Sequence, residues 1–190
     1  MKLIYEGAEA KVFLDKDTII KQRILKKYRN SKLNDKILKQ RTKTEANILR
    51  KISQIGISCP KVIKEDLTNY TLYLSYVNGK PLRKYSKDKE KLILVGKEIA
   101  KLHNYNIIHG DLTAQNIFFG KNPIFLDFGL SSISSKLEDY ATDLTVLKGT
   151  ILADFPEDTW KYILEGYLKN TKHKIEEKII EIEKRKRYQG

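Results

Sequence analysis

The 190 residues carry 37 Lys/Arg against 24 Asp/Glu, a formal net charge of +13, and 41% of them are hydrophobic. That balance is globular rather than disordered, and the length suits one large domain or two small lobes. No apolar run approaches the ~20 residues that cross a bilayer, residues 1–6 do not read as a secretory leader, and the single Cys59 excludes an internal disulfide framework or a multi-cysteine zinc site; a cytoplasmic protein with no membrane partner is expected.

In chain order, residues 2–6 and 10–14 alternate apolar and polar side chains, Asp15-Lys16-Asp17 makes a turn, and residues 18–24 return with β-branched side chains, as a hairpin does. From Asn34 the period changes: Ile37, Leu38, Ile48, Leu49 and Ile52 mark a long helix ended by Gly56 and Pro60. Strands are expected over 62–65 and 71–77, with Asn78-Gly79 turning the chain. Helical stripes follow at Leu92, Val95, Ile99 and Leu102, at Leu144, Leu147 and Ile151, and at Trp160, Ile163, Leu164, Tyr167 and Leu168. A last amphipathic helix is expected from residue 168 through Ile182, and residues 109–130 are irregular with two short strand-like pieces. The expectation is a strand-rich N-lobe over 1–77 and a helical C-lobe over 78–190, with a ligand cleft at the junction.

The charge is uneven. Residues 21–51 hold twelve Lys/Arg against Asp35 and Glu45, a local net of +10 that leaves +3 for the other 159 residues, and Lys184-Arg185-Lys186-Arg187 nearly closes the chain. Such concentration suits a polyanion, nucleic acid first and phosphate ligands second, against the plainer reading of a solvated lysine-rich helix.

The chemistry lies in His109-Gly110-Asp111-Leu112-Thr113-Ala114-Gln115-Asn116 followed by Asp127-Phe128-Gly129. This is the spacing of a kinase catalytic loop and its metal-binding aspartate. Asp111 would accept the proton of an attacking hydroxyl or orient a water, with His109 as structural support. Asn116 and Asp127 would hold Mg²⁺ (or Mn²⁺) against the phosphates of ATP, oxygen donors being the ligands that ion prefers. Lys21, on a strand, would contact the α- and β-phosphates, braced by Glu45 on the following helix. Gly7, Ala8, Glu9 and Ala10 occupy the phosphate-covering loop, and the Ser75 carbonyl and Val77 amide the adenine-binding hinge. The departures matter as much. Only Gly7 remains of a glycine-rich loop, Gly110 replaces an arginine, Thr113 replaces a lysine, and only 13 residues separate Gly129 from Asp143. The nucleotide half of a kinase is present, whereas the peptide-binding half is reduced.

Together with Arg23, Arg41-Thr42-Lys43-Thr44-Glu45-Ala46, Leu130-Ser131, Glu138-Asp139 and Asp143-Leu144, these pieces resemble the small kinase-like ATPase subunits of the KEOPS (EKC) complex. The resemblance implies an α+β, bilobal protein-kinase-like fold and an atypical Ser/Thr kinase or ATPase supporting threonylcarbamoyl-adenosine modification of tRNA. It implies a threonylcarbamoyl-transferase subunit, other KEOPS subunits and tRNA as partners, and Asp143 as a brace of the catalytic loop. Lys26, Lys27, Arg29, Lys184, Arg185, Lys186 and Arg187 would face the tRNA or the transferase. Ser131, Ser132, Ser134 and Ser135 read as a serine-rich turn before they read as self-phosphorylation sites. His103, with no ligand partner at metal spacing, reads as a packed or capping histidine. The alternatives are a RIO-type kinase, a small-molecule phosphotransferase, and a catalytically silent scaffold that binds tRNA or protein.

Overall fold

A computed structural model describes residues 1–26 and 30–187. The chain divides into two compact units, Met1–Asn78 and Gly79–Gly190.

The first unit is an antiparallel five-stranded sheet with one long helix. Its strands, β1 (Lys2–Glu6), β2 (Ala10–Asp15), β3 (Thr18–Arg23), β4 (Val62–Asp66) and β5 (Thr71–Ser75), lie in the order β1-β2-β3-β5-β4. Helix α1 (Ser31–Gln54) packs against β4 and β5. It begins earlier than its apolar period suggests, because the Asn30 side chain accepts the Leu33 N–H at 2.8 Å and caps it. Asn34, Leu38, Thr42, Glu45, Leu49 and Ile52, at steps of three and four, form the buried stripe. Strand β5 stops at Ser75 rather than Val77: its last ladder partner is Thr18, where β3 starts, and the Tyr76 N–H turns to the Asp17 carbonyl at 2.9 Å.

The second unit is mainly helical: α2 (Lys89–Asn104), α3 (Leu137–Asp154), α4 (Asp158–Leu168) and α5 (Glu176–Arg187). Helices α2 and α4 pack face to face, as do α3 and α5. The last helix does not start at residue 168, since Asn170 donates to the Gly166 carbonyl at 2.7 Å and closes α4 there. Between α2 and α3 come β7 (Ile107–Ile108), β8 (Ile117–Phe119), β9 (Pro123–Phe125) and β10 (Ser132–Ile133). Strand β10 pairs with β7, and β8 joins β9 to β6 (Lys80–Pro81). Among the described residues no helix is long and apolar enough to cross a membrane.

Candidate active site

In the first unit, Lys21 and Arg23 stand two apart on β3, so both point to one face of the sheet. That face meets Glu45 on the buried stripe of α1. The Lys21 Nζ lies 2.7 Å from Glu45 Oε1, and the Arg23 guanidinium donates to Glu45 Oε2 and to the Arg41 carbonyl at 3.5 Å. All three side chains are buried. A buried carboxylate is costly unless charge-paired, and two cations on two oxygens satisfy it. Arg23 is a member of this cluster that sequence reasoning left without a role; its spacing from Lys21 was the signal. The loop expected to cover the phosphates, Gly7 to Ala10, runs into the start of β2. Gly7 N–H donates to the Ala10 carbonyl at 3.0 Å, closing a tight turn over Ala8 and Glu9. Glu9 is exposed and pairs with Arg41 at 2.9 Å and Lys26 at 3.5 Å, while Lys26 also donates to the Ala8 carbonyl. At the strand end, Ser75 spends its N–H on the Lys61 carbonyl at 2.8 Å and accepts the Lys61 N–H on its hydroxyl at 2.9 Å; Val77 follows, half-buried.

In the second unit a hairpin brings Asn116 and Asp127 together. Asn116 immediately precedes β8, Asp127 follows β9, and the Ile117–Phe125 pairing sets the register. The Leu126 N–H then donates to the Asn116 carbonyl at 2.9 Å. The side-chain amide of Asn116 donates both to the Asp111 carbonyl at 2.9 Å and to Asp111 Oδ2 at 3.1 Å. Its Oδ1 is left as an acceptor with no partner among the described residues. Asp127 is exposed and has φ 56°, the left-handed region that is uncommon for a side-chain-bearing residue and clusters at functional sites. Its Oδ1 accepts the Gly129 N–H at 3.1 Å. Among the described residues no three His, Cys, Asp or Glu side chains gather as a closed metal site. An amide oxygen and a carboxylate fit Mg²⁺ instead, which takes one or two protein oxygens and fills the rest with phosphate and water.

Side chains of one helix accept the loop's backbone amides and hold it in shape. Buried Asp143 on α3 accepts the His109 N–H at 2.7 Å and the Gly110 N–H at 2.9 Å, and Thr150, two turns on, accepts the Ala114 N–H at 3.1 Å. His109 has its Nε2 3.0 Å from the Leu126 carbonyl and its Nδ1 3.3 Å from the Asp111 N–H, so it is the neutral Nε2–H tautomer. Burial pushes its imidazole below the usual range, the charge of Asp143 opposing. Its ring rests on that of Phe128 at 4.5 Å. Gly110 has φ +81°, and a Cβ there would come within 2.2 Å of the Leu130 carbonyl oxygen. Any side chain at 110, arginine included, is sterically excluded from this loop.

The other basic positions are less uniform. Arg185 pairs with Glu138 at 2.7 Å and with Glu181, and Lys184 is exposed. Lys27 and Arg29, and the side chains of Lys186 and Arg187, lie outside the described residues. Of the serines, Ser131 donates to the Phe128 carbonyl and Ser134 to Asp139, whereas Ser132 and Ser135 are exposed.

A strand sheet with a carboxylate-bearing helix, joined to a helical unit that carries this loop and hairpin, defines a protein-kinase-like domain. Solved structures agree on the fold: the Rio2 kinase of Chaetomium thermophilum superposes with a TM-score of 0.66 over 97% of this chain and 67% of that one at 16% identity. The chain of a gentamicin-APH(2")-IIa complex gives 0.64 over 96% of this chain and 80% of that one, also at 16%. A RIO domain is matched over residues 4–139, and the chain belongs to the RIO-domain family; it is similar to proteins named KEOPS complex subunit Bud32. That subunit in Pyrococcus abyssi is 34% identical, covering 99% of this chain and 96% of its own length. The EKC/KEOPS complex subunit BUD32 of Enterocytozoon bieneusi is 32% identical over 98% of both. A "Probable bifunctional tRNA threonylcarbamoyladenosine biosynthesis protein" of Methanocaldococcus jannaschii is 38% identical over 98% of this chain, which spans 37% of that protein's length.

Proposed function

We propose that this chain is an Mg²⁺-ATP-dependent atypical serine/threonine kinase and ATPase, working as a KEOPS subunit in threonylcarbamoyl-adenosine modification of tRNA. The observation that carries the reading is the Asp111–Asn116 contact beside Asp127 at the mouth of one hairpin. Asp111 would take the proton of an attacking hydroxyl, or orient a water. Asn116 Oδ1 and the Asp127 carboxylate would hold Mg²⁺ (Mn²⁺ as a substitute), and Lys21, fixed by Glu45, would meet the α- and β-phosphates. When bound, the metal supplies charge neutralisation of the triphosphate. The residue positions 130–136 between Gly129 and α3 leave little room for a peptide platform, which favours ATP hydrolysis and self-phosphorylation over broad protein phosphorylation.

The partners we infer are a threonylcarbamoyl-transferase subunit, further KEOPS subunits and tRNA. One stripe of α1 supports the last: Lys32, Lys36, Lys39, Lys43 and Arg50 are exposed along it at steps of one or two turns. A single cysteine, Cys59, free and half-buried, suits a reducing compartment, the cytoplasm.

ATP turnover should be measured for the chain alone, with a generic protein acceptor, and with tRNA plus the transferase subunit. Slow turnover alone, poor labelling of the acceptor and clear stimulation by the partner are expected. Asp127→Ala should remove turnover without unfolding, the side chain being exposed. Normal hydrolysis by that variant defeats the metal assignment, and no Mg²⁺-ATP binding by the parent chain leaves the scaffold reading. A RIO-type protein kinase, favoured by the match over residues 4–139, would instead label a protein acceptor without the partner.

A further inference from the structure

In the first unit, two cations converge on the loop that leads into β2. Arg41 Nη1 lies 2.9 Å from Glu9 Oε2, and Lys26 Nζ lies 3.5 Å from Glu9 Oε1. The Lys26 ammonium also donates to the Ala8 carbonyl. The main chain joins the same arrangement: the Ile24 N–H donates to the Glu9 carbonyl at 3.0 Å, and the Gly7 N–H to that of Ala10 at 3.0 Å. The loop from Gly7 to Ala10 is thus held at one carboxylate and at three successive carbonyls.

Both cations are themselves fixed by α1. Lys26 exchanges two bonds with the buried Asn34, its N–H reaching Asn34 Oδ1 at 3.3 Å and its carbonyl taking the side-chain amide at 2.8 Å. Arg41 stands about one turn before Glu45, and its carbonyl accepts the Arg23 guanidinium at 3.5 Å. The loop is therefore tied to the same stretch of helix that holds Lys21 through Glu45. A trans peptide points its N–H opposite to its C=O, so the bond from Lys26 to the Ala8 carbonyl turns the Glu9 N–H away from the ammonium. Main-chain amides presented by a turn are donors for phosphate oxygens, whereas an uncompensated carboxylate beside them repels those oxygens.

We propose that Arg41 and Lys26 are positioning residues for a nucleoside triphosphate: together they hold the Glu9 carboxylate and the Ala8 carbonyl, so that the loop meets the phosphates preformed and with its own anion neutralised. A loop with several glycines can mould itself to a ligand; one that keeps only Gly7 needs its shape supplied from outside. The pairs to Glu9 are half-exposed and contribute little to stability, so what they supply is the placement of a charge. Lys26 is thereby spent on the loop rather than displayed to tRNA. The consequence for ATP rests on the reading of Gly7 to Ala10 as the phosphate-covering loop, whereas the effect on the loop backbone does not.

The test reads two quantities on the full chain: binding of Mg²⁺-ATP and of adenosine by calorimetry, and hydrogen exchange of individual amides. Arg41→Met, which removes the charge and keeps an apolar stem, should weaken Mg²⁺-ATP binding roughly tenfold and adenosine binding less than about twofold. In a Glu9→Gln background, where no anion is left to neutralise, the same change should weaken Mg²⁺-ATP binding less than about threefold. Without nucleotide, exchange at Gly7 and Ile24 should rise about fivefold in Arg41→Met and in Lys26→Met, while Leu72 and Leu74 in β5 stay protected. A loss of Mg²⁺-ATP affinity that is the same in both backgrounds overturns the proposal, since Arg41 would then act on the phosphates without Glu9. An equal loss for adenosine overturns it too, as does loop exchange that is unchanged or that rises equally in β5. Should Arg41→Met fail to fold, Arg41→Gln carries the same cycle, because it also removes the charge. A parent chain that binds no Mg²⁺-ATP defeats the reading of the loop as phosphate-covering, and the exchange pattern still decides whether Arg41 and Lys26 hold it.

Discussion

Glu45 and Asp143 are both carboxylates buried on a helix, one in each unit, and they are satisfied in opposite ways. Glu45 receives two side-chain cations from one face of β3. Asp143 receives two backbone amides and an imidazole. The first arrangement holds a charge in place, and Arg23 would keep the carboxylate paired if Lys21 turned to a ligand. The second holds a shape, because what it binds is main chain. A side-chain cation can be lent to a phosphate; a loop amide cannot move without moving the loop.

The largest effect that would break this contrast is expected at Glu45. Glu45→Ala removes the buried carboxylate that Lys21 and Arg23 share and should cost ~3–5 kcal/mol in denaturant unfolding. Asp143→Asn should cost less, ~1–3 kcal/mol, since one amide of the loop keeps an acceptor while the other faces an NH₂ group. If Asp143→Asn proves the more damaging of the two, backbone satisfaction outweighs charge pairing and the ordering is reversed. Acid sharpens the comparison further. His109 is neutral in the fold and its proton affinity lowered by burial, so below about pH 6.5 the unfolded chain takes up a proton that the native state does not. Stability linked to this group is complete above that pH and is lost as the pH falls below it. Comparing unfolding midpoints at several pH values in the parent and in His109→Gln should show a shallower acid slope in the variant; equal slopes would mean that His109 contributes none of it.

Much of this was legible in the residues. Alternation placed β2 and β3, period placed α2, α3 and α4, and the loop spacing singled out Asp111, Asn116 and Asp127 as candidates. What escaped has physical causes. The first turn of α1 offers a single apolar residue, the exposed Leu33, so its start was set by the Asn30 cap rather than by any apolar period. The end of β5 depends on where its partner strand begins, which is a tertiary fact. Arg23 looked like one more surface cation until its register beside Lys21 placed both against Glu45. His103 finds its partners in a carboxylate 40 residues later and a phenol 64 residues later, a convergence no local pattern carries. Gly110 looked like a missing arginine; the structure makes it a residue whose Cβ would strike a carbonyl.

Glu9 isolates the variable behind the contrast. Like Glu45 it faces two cations, Arg41 and Lys26, but its side chain is 49% exposed against 1% for Glu45. Water already solvates both partners there, and salt screens what attraction remains. Glu9→Gln should therefore change stability by less than ~1 kcal/mol, with the difference fading in 0.5 M salt on the order of a Debye length of ~4 Å. Matched denaturant titrations of Glu9→Gln and Glu45→Gln at low and high salt separate the two causes. If burial governs, only the Glu45 variant is costly and its cost persists in salt. If the number of cations governs, the two variants lose similar amounts, and the rigidity of the Lys21 cluster must then come from the packing of α1 on β4 and β5 rather than from its charges.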